Sequence, residues 1–249
     1  MGYSPPAPEL LGGAKVKRLS VLILVFAVAF AIFLVGPPFL SRLTFTPYPL
    51  MKVADVFDIL TPLVLLPLYW LLFRMGQPKP VNISGMVIFF ALAAFWAQGQ
   101  GMHLSANSIN HLLKGMENTD IYRLTHFYDE VLSHYLRDIG VVGLSTFLIL
   151  HSWQKPFAEG QGVLWSPILA GIIHGFTFFL VVIESGTAPL GVTFAVLAAV
   201  FGLVRGRKGV SQRPVAAFFF ISYIVAALFF TGWGIYWRGL PQFSEVGLI

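Results

Sequence analysis

The sequence predicts an all-α integral membrane protein built as a bundle of about seven transmembrane helices. Of its 249 residues, 57% are hydrophobic and 11% charged, and the mean hydropathy is +0.78. Soluble domains carry roughly 25% charged residues, so this composition argues against a water-soluble fold. A spanning helix needs about 20 mostly apolar residues. Seven stretches meet that need: Leu19–Leu40, Val56–Arg74, Val81–His103, Phe127–His151, Val163–Ile183, Ala188–Val204 and Pro214–Trp237.

The seven stretches leave little chain for any other domain. We expect a flexible N-terminal tail over residues 1–18, rich in Pro and Gly, one transmembrane domain over residues 19–240, and a C-terminal tail over residues 241–249. The first apolar stretch lacks a small-residue cleavage pattern and exceeds the core of a signal peptide, so we interpret it as a retained helix.

Basic residues predict the orientation, because short cytoplasmic loops are enriched in Lys and Arg. An inner N-terminus and an outer C-terminus place ten basic residues inside and five outside. The inner set is Lys15, Lys17, Arg18, Arg74, Lys79, Lys155, Arg205, Arg207, Lys208 and Arg213. This bias favours a prokaryotic plasma membrane. Membrane lipids explain the net charge of +5, and no nucleic-acid partner is expected.

Polar side chains concentrate where the third predicted helix ends. His103, Asn107 and either Asn110 or His111 recur at helical spacing, so they share one face. On the predicted topology this face lies near the outer leaflet.

The fourth predicted helix begins with a second polar stripe. Two adjacent rows result: Glu130, His134 and Asp138 in one, and Asp129, Ser133 and Arg137 in the other. Ionisable residues are costly in hydrocarbon, so both rows are expected to face the bundle interior or water.

Further ionisable residues lie on neighbouring helices. His174 is flanked by glycines on the fifth helix, with Glu184 near its outer end, and Asp55 and Asp58 begin the second helix. The chain has no cysteine, so any metal must be bound by nitrogen and oxygen ligands.

These residues predict a divalent metal site, with zinc favoured over iron or copper. The ligands would be His103, His134 and His174 with Glu130 or Asp129, which match the preferences of such metals. The alternative is that the polar groups satisfy one another. That alternative pairs Arg137 with Asp138 or Asp129, directs Asn107 to a backbone carbonyl, and gives Asp58 a supporting role.

The layout resembles the CREST superfamily of seven-helix membrane metal-dependent hydrolases, which includes the alkaline ceramidases. That family has a Ser, an Asp and a His on early helices and a His-x-x-x-His pair on the last helix. The resemblance implies Ser133 or Ser105 as the serine and Asp129 as the aspartate. His103, His134 and His174 would then replace the zinc ligands, since Pro214–Trp237 contains no histidine.

The function hypothesis that follows is hydrolysis of a lipid amide or ester, with Glu130 or Asp129 as general base and Ser133 as a further catalytic candidate. Three alternatives remain open. One is a haem or redox-metal subunit with axial ligands such as His134 and His174. Another is a proton or ion pathway or a transporter that uses Glu130, His134, Asp138 and His174. The last is a structural subunit.

Overall fold

A computed structural model describes residues 8–76, 82–154, 165–205 and 212–248. Within these ranges most residues are helical, no β-strand is present, and a single isolated bridge joins Thr44 and Lys52. Residues 1–7 of the predicted tail and four of the basic residues, Lys79, Lys155, Arg207 and Lys208, lie outside the described residues.

The helices follow the predicted stretches closely. They are α1 (Pro8–Val35), α2 (Pro37–Leu40), α3 (Val53–Met75), α4 (Ile83–Asn110), α5 (Asp120–His126), α6 (Ser133–Gln154), α7 (Trp165–Glu184), α8 (Ala188–Arg205) and α9 (Pro214–Trp237). A 3₁₀ turn, His111–Leu113, follows α4, and a π-helical segment, Phe127–Leu132, joins α5 to α6.

Within the described ranges, six helices are long and apolar enough to cross a membrane: those at Lys17–Val35, Val53–Met75, Ile83–Leu113, Trp165–Glu184, Ala188–Arg205 and Pro214–Trp237. The chain is therefore an all-α protein with the helices of an integral membrane protein. The predicted stretch Phe127–His151 is not among the six. Its first turns carry the polar rows of residues 129–138, which lower its mean hydropathy.

Helix boundaries differ from the prediction in two places that matter for the site. The first stretch divides at Gly36 into α1 and α2, with Pro37 and Pro38 opening α2. Helix α4 continues to Asn110, seven residues past the predicted end at His103. The polar face of residues 103–110 is consequently helical and lies alongside the start of α6.

Helices α4 and α6 approach each other closely through glycines. A Cβ atom at Gly99 would collide with the backbone of Ser133 and Arg137, and one at Gly140 would collide with the backbone of Trp96. Small residues allow such contacts between membrane helices. The two glycines thus fix the distance between the two polar faces.

Polar groups gather at one end of the bundle, here called the polar end. It comprises the start of α3, the end of α4, the π-helical segment with the start of α6, and the end of α7. At the opposite end of α6, Arg213 at the start of α9 donates from Nε to the carbonyl oxygen of Trp153 over 3.0 Å. Between these ends lies a core rich in aromatic rings, including Phe26, Phe30, Tyr69, Trp96, Phe218, Phe219 and Tyr223.

Candidate functional site

A cavity of about 270 Å³ opens at the polar end of the bundle. The polar side chains that line it are Ser41, Asp58, Gln100, His103, Asn107, Glu130, His134, Arg137, Glu184 and Ser185. Its apolar wall comes from α1, α2, α3 and α7: Phe33, Leu34, Pro37, Pro38, Ala54 and Val181. Most of the residues predicted from the two polar faces therefore meet around one space.

His103 is held by a buried carboxylate. Its Nδ1 lies 2.9 Å from Oδ1 of Asp129, although the N–H does not point straight at that oxygen. The other oxygen of Asp129 accepts from Asn110 Nδ2 over 3.3 Å. Asp129 is only 1% exposed, so its charge requires these partners. The extension of α4 to Asn110 makes this arrangement possible.

His134 is held by a backbone carbonyl. Its Nδ1 lies 3.1 Å from the carbonyl oxygen of Ser185, at the end of α7. A carbonyl can only accept, so Nδ1 carries the proton and Nε2 keeps its lone pair in the neutral ring. In His103 the same ring nitrogen, Nδ1, lies beside the carboxylate of Asp129. The two ring centroids are 4.8 Å apart.

The π-helical segment carries Asp129 and Glu130 in different directions. Asp129 is buried against His103, whereas Glu130 is half-buried and lines the cavity. Insertions of this kind are frequent at functional sites. Ser133, one turn later, is fully buried and donates its hydroxyl to the carbonyl of Asp129. Its hydroxyl is therefore engaged with the backbone.

Arg137 and Asp138 form a buried network with the start of α8. Arg137 donates from Nε to Oδ1 of Asp138 over 2.8 Å. Oδ2 of Asp138 accepts from the hydroxyls of Thr187 and Ser185. This part of the alternative interpretation from the sequence, an Arg137–Asp138 pair, is present in the structure.

Asp58 and Gln100 form a further polar pair between α3 and α4. Gln100 donates from Nε2 to Oδ1 of Asp58 over 3.0 Å, and both residues line the cavity. Gln100 is 2% exposed. It precedes His103 by three positions and so lies on the same helical face, which is the sequence signal that could have identified it.

His174 is not brought to this cavity. Its ring is 0% exposed and packs against five aromatic rings, with centroid distances of 4.3 Å to Phe30, 5.2 Å to Phe218, 5.7 Å to Phe219, 5.8 Å to Phe26 and 6.2 Å to Tyr223. Neither ring nitrogen has a hydrogen-bond partner in the described part of the chain. The position is that of a core aromatic residue.

Ser105 and Asp55 lie on the other side of the α3–α4 contact. Ser105 is exposed and donates to the carbonyl of Gly101 over 3.0 Å. Both residues line a shallow groove of about 340 Å³ with apolar neighbours such as Leu104 and Ile109. Asp55 caps α3 by accepting from the backbone N–H of Lys52 over 2.7 Å. Both side chains therefore form hydrogen bonds to backbone atoms close to them in sequence.

Carboxyl groups outnumber basic side chains around the site. Among the described residues that line the cavity, Asp58, Glu130 and Glu184 are acidic and Arg137 is the basic partner. Asp129 and Asp138 add two buried carboxylates behind the wall. As arranged, no three His, Asp or Glu side chains among the described residues are close enough together to hold a metal ion. The site presents a pair of oriented histidines with nearby carboxylates.

Sequence reasoning missed Ser185, Thr187 and the supporting role of Glu184. Glu184 Oε2 accepts from the backbone N–H groups of Phe243 over 2.9 Å and Ser244 over 3.3 Å, which fastens the C-terminal segment to the polar end. These residues sit at the α7–α8 turn, far from residues 98–138 in sequence. Local periodicity carries no signal for such contacts.

Comparison with known proteins found no matching family model, no matching curated protein and no matching solved structure. The likeness to the CREST superfamily stays a prediction from the sequence.

Proposed function

We propose that the protein is a membrane-embedded, metal-dependent hydrolase of a lipid amide or ester, with its site in the cavity at the polar end of the bundle. The observation that carries the proposal is the closeness of His103 and His134, whose rings lie 4.8 Å apart at the cavity. In each ring Nδ1 lies beside a protein acceptor, so Nε2 is the nitrogen that would bind a metal. Metal-ligating histidines have this arrangement of outer partners.

His103 and His134 would hold a divalent metal, preferably zinc, together with Glu130. Carboxylates outnumber basic side chains around the cavity, and its possible donors are nitrogen and oxygen atoms, which are the ligands that such metals accept. Glu130 would complete the set by a change of side-chain rotamer. When bound, such a metal lowers the pKa of water and polarises a carbonyl group.

Other residues of the chain would orient the histidines, accept a proton and exclude water. Asp129 and the carbonyl of Ser185 orient the two histidines. A carboxylate on the cavity that does not bind the metal, such as Asp58, would accept the proton of the attacking water. The apolar wall of Phe33, Leu34 and Val181 excludes bulk water and faces the hydrocarbon part of a lipid.

The proposal includes seven spans, with the N-terminus inside and the C-terminus outside in a prokaryotic plasma membrane. The span that is additional to the six apolar helices is helix α6. His134 in its first turns contacts Ser185 at the end of α7, and Trp153 in its last turn contacts Arg213 at the start of α9. Helix α6 thus runs the length of its spanning neighbours, with its polar turns buried against protein.

The experiment that tests the proposal is hydrolysis of a fluorogenic acyl amide and the matched acyl ester in detergent, after EDTA treatment and after zinc is restored. We expect zinc-dependent turnover that falls about 100-fold or more in Glu130→Gln. Glu117→Gln, in the loop after α4, is the matched control and should keep full activity. No zinc-dependent turnover of either substrate would contradict the proposal.

A further inference from the structure

The two helices that carry His103 and His134 are longer than a membrane span requires. Helix α4 and its 3₁₀ turn extend over 31 residues, Ile83–Leu113. Residues 120–154 are helical without a break, through α5, the π-helical segment and α6. A span needs about 20 residues, and α7, α8 and α9 have 20, 18 and 24. A stretch of about ten residues or more of each long helix therefore lies outside the hydrocarbon.

The extra length lies at the polar end of the bundle. His134, in the first turn of α6, is 3.1 Å from the carbonyl oxygen of Ser185, so α6 begins level with the turn between α7 and α8. Residues 120–132 continue the same helix past that turn by roughly 15–20 Å, at about 1.5 Å a residue. Together with the end of α4 they form a hairpin over residues 101–132, here called the projecting hairpin.

The second helix of the projecting hairpin has an exposed apolar face, here called the apolar stripe. It consists of Ile121, Leu124, Phe127, Tyr128 and Val131, which are between 40% and 55% exposed. Residues 121, 124, 128 and 131 alternate at spacings of three and four, which is the spacing of side chains on one helical face. Contiguous apolar surface of this kind marks an interaction site when water would otherwise cover it.

Lipid can cover only the end of the apolar stripe nearest the bundle. Val131 lies within one turn of His134, whereas Ile121 lies roughly 15–20 Å beyond the turn between α7 and α8. The headgroup layer adds about 5–8 Å to the hydrocarbon on each side. The outer part of the stripe is therefore beyond the lipid, and its cover is a protein.

A second copy of this chain matches the stripe in direction, spacing and charge. Alternate spacings of three and four are the pattern of a helix that packs along a parallel partner. Two copies in one membrane have the same orientation, so equivalent helices run parallel about a two-fold axis along the membrane normal. Asp120 and Arg123 are exposed beside the stripe and have opposite charges, so two identical patches do not repel each other.

We propose that the protein forms a homodimer through the apolar stripe, with the α5 helices of two copies packed side by side outside the membrane. At about half exposure, five such side chains offer on the order of 400–500 Å² in each copy. The pair therefore approaches the roughly 1,000 Å² of a small specific interface. Ile139, 40% exposed in α6, continues the contact into the membrane.

A second cavity, of about 680 Å³, lies at the bundle end of the stripe. Val131 and Tyr135 line it, together with Glu130 and Glu184, which also line the site cavity. A second copy on the stripe would form part of the wall of this cavity, so pairing would narrow the approach to the site from water. The contact itself involves no metal ligand and does not depend on the proposed activity.

The mass of the protein in detergent tests the proposal. Size-exclusion chromatography with light scattering should give twice the chain mass of 27.5 kDa. Leu124→Gln places a polar group at the centre of the stripe and should raise the dimer dissociation constant about tenfold or more. Leu50→Gln, at an exposed leucine of the α2–α3 loop, is the matched control and should stay dimeric. Both leucines are exposed in the single chain, so neither change should affect folding.

Cysteine cross-linking tests the same contact in the membrane. The chain has no cysteine, so Leu124→Cys and Leu50→Cys each introduce a single thiol. Oxidation in isolated membranes should convert most of the Leu124→Cys protein, and little of the Leu50→Cys protein, into disulfide-linked pairs. This readout does not require that the dimer survives extraction into detergent.

The proposal is overturned if the two cysteine variants cross-link equally, or if Leu124→Gln remains as dimeric as the unmodified protein. A polarity-sensitive fluorophore on Leu124→Cys separates the other possible covers. An apolar emission that lipid nitroxides quench would assign the stripe to lipid, and the emission of a water-exposed probe would leave it uncovered. Either emission in a protein that does not cross-link would overturn the dimer.

Discussion

The imidazole rings of His103 and His134 lie 4.8 Å apart, although one belongs to α4 and the other to α6. Each ring is oriented through Nδ1, by Asp129 in one case and by the carbonyl of Ser185 in the other. Four separate elements therefore have to pack correctly before the two Nε2 atoms share one cavity. The predictions below test this dependence.

Asp129→Asn tests the partner of His103. The change keeps the size of the side chain but removes the negative charge that orients the ring. Loss of such an outer partner typically weakens metal binding 10–100-fold, and we expect a zinc dissociation constant raised by about that factor. Competition with a chromophoric chelator measures it.

The control for this change is Asp120→Asn, whose side chain is fully exposed at the start of α5. It should bind zinc as the unmodified protein does. An unchanged dissociation constant in Asp129→Asn would show that the carboxylate does not support a metal ligand.

Gly99→Ala tests the close contact between α4 and α6. A Cβ atom at residue 99 collides with the backbone of Ser133 and Arg137, so the helices must separate. Overpacking of this kind costs about 1–3 kcal/mol. We expect a lower thermal unfolding temperature in detergent and weaker zinc binding, because both polar faces move.

Gly101→Ala is the matched control, two positions further along α4. Within the described structure, a Cβ atom there meets no heavy atom within 4 Å. Helix propensity alone then favours alanine by about 1 kcal/mol. Equal effects of the two substitutions would contradict the packing described for α4 and α6.

The sequence was sufficient to predict the helices, but it predicted only part of the site. Pro214–Trp237 has the same bounds in the prediction and in the structure, because an apolar run between polar loops defines a spanning helix. His103, His134 and Glu130 line the same cavity, since polar faces of membrane helices turn toward protein. Their identity as metal ligands stays a prediction.

Other parts of the site depend on tertiary contacts that no periodicity reveals. His174 resembles a ligand by its isolation in an apolar helix, yet its ring packs among Phe26, Phe30 and Phe218. The π-helical segment Phe127–Leu132 was not predicted, because a helical spacing of 3.6 residues cannot anticipate it. Ser185 and Thr187 reach the site only because α7 ends beside α6.

Asp138→Leu tests the buried network of Arg137. The substitution leaves the guanidinium buried without its carboxylate, and breaking such a pair typically costs 3–5 kcal/mol. We expect a marked loss of thermal stability in detergent. In the double variant Arg137→Met with Asp138→Leu, most of the loss should be recovered, because no unpaired charge remains. A single variant as stable as the unmodified protein would contradict the network.

Single cysteines test the topology, since the chain has none of its own. Seven spans place Glu117 and Leu248 on the outer side and Arg207 inside. In intact cells, a membrane-impermeant thiol reagent should label Glu117→Cys and Leu248→Cys, and should label Arg207→Cys only after the membrane is broken. With six spans Arg207 would lie outside and Leu248 inside, so labelling of Glu117→Cys and Arg207→Cys but not of Leu248→Cys in intact cells would contradict the seventh span.

Metal content of the detergent-purified protein, measured by mass spectrometry, tests the central claim most directly. We expect about one zinc per chain in the unmodified protein, little in His134→Ala, and full occupancy in His174→Phe, whose new ring suits its aromatic surroundings. Absence of stoichiometric metal in the unmodified protein, or its loss in His174→Phe and not in His134→Ala, would contradict a metal site formed by His103, His134 and Glu130.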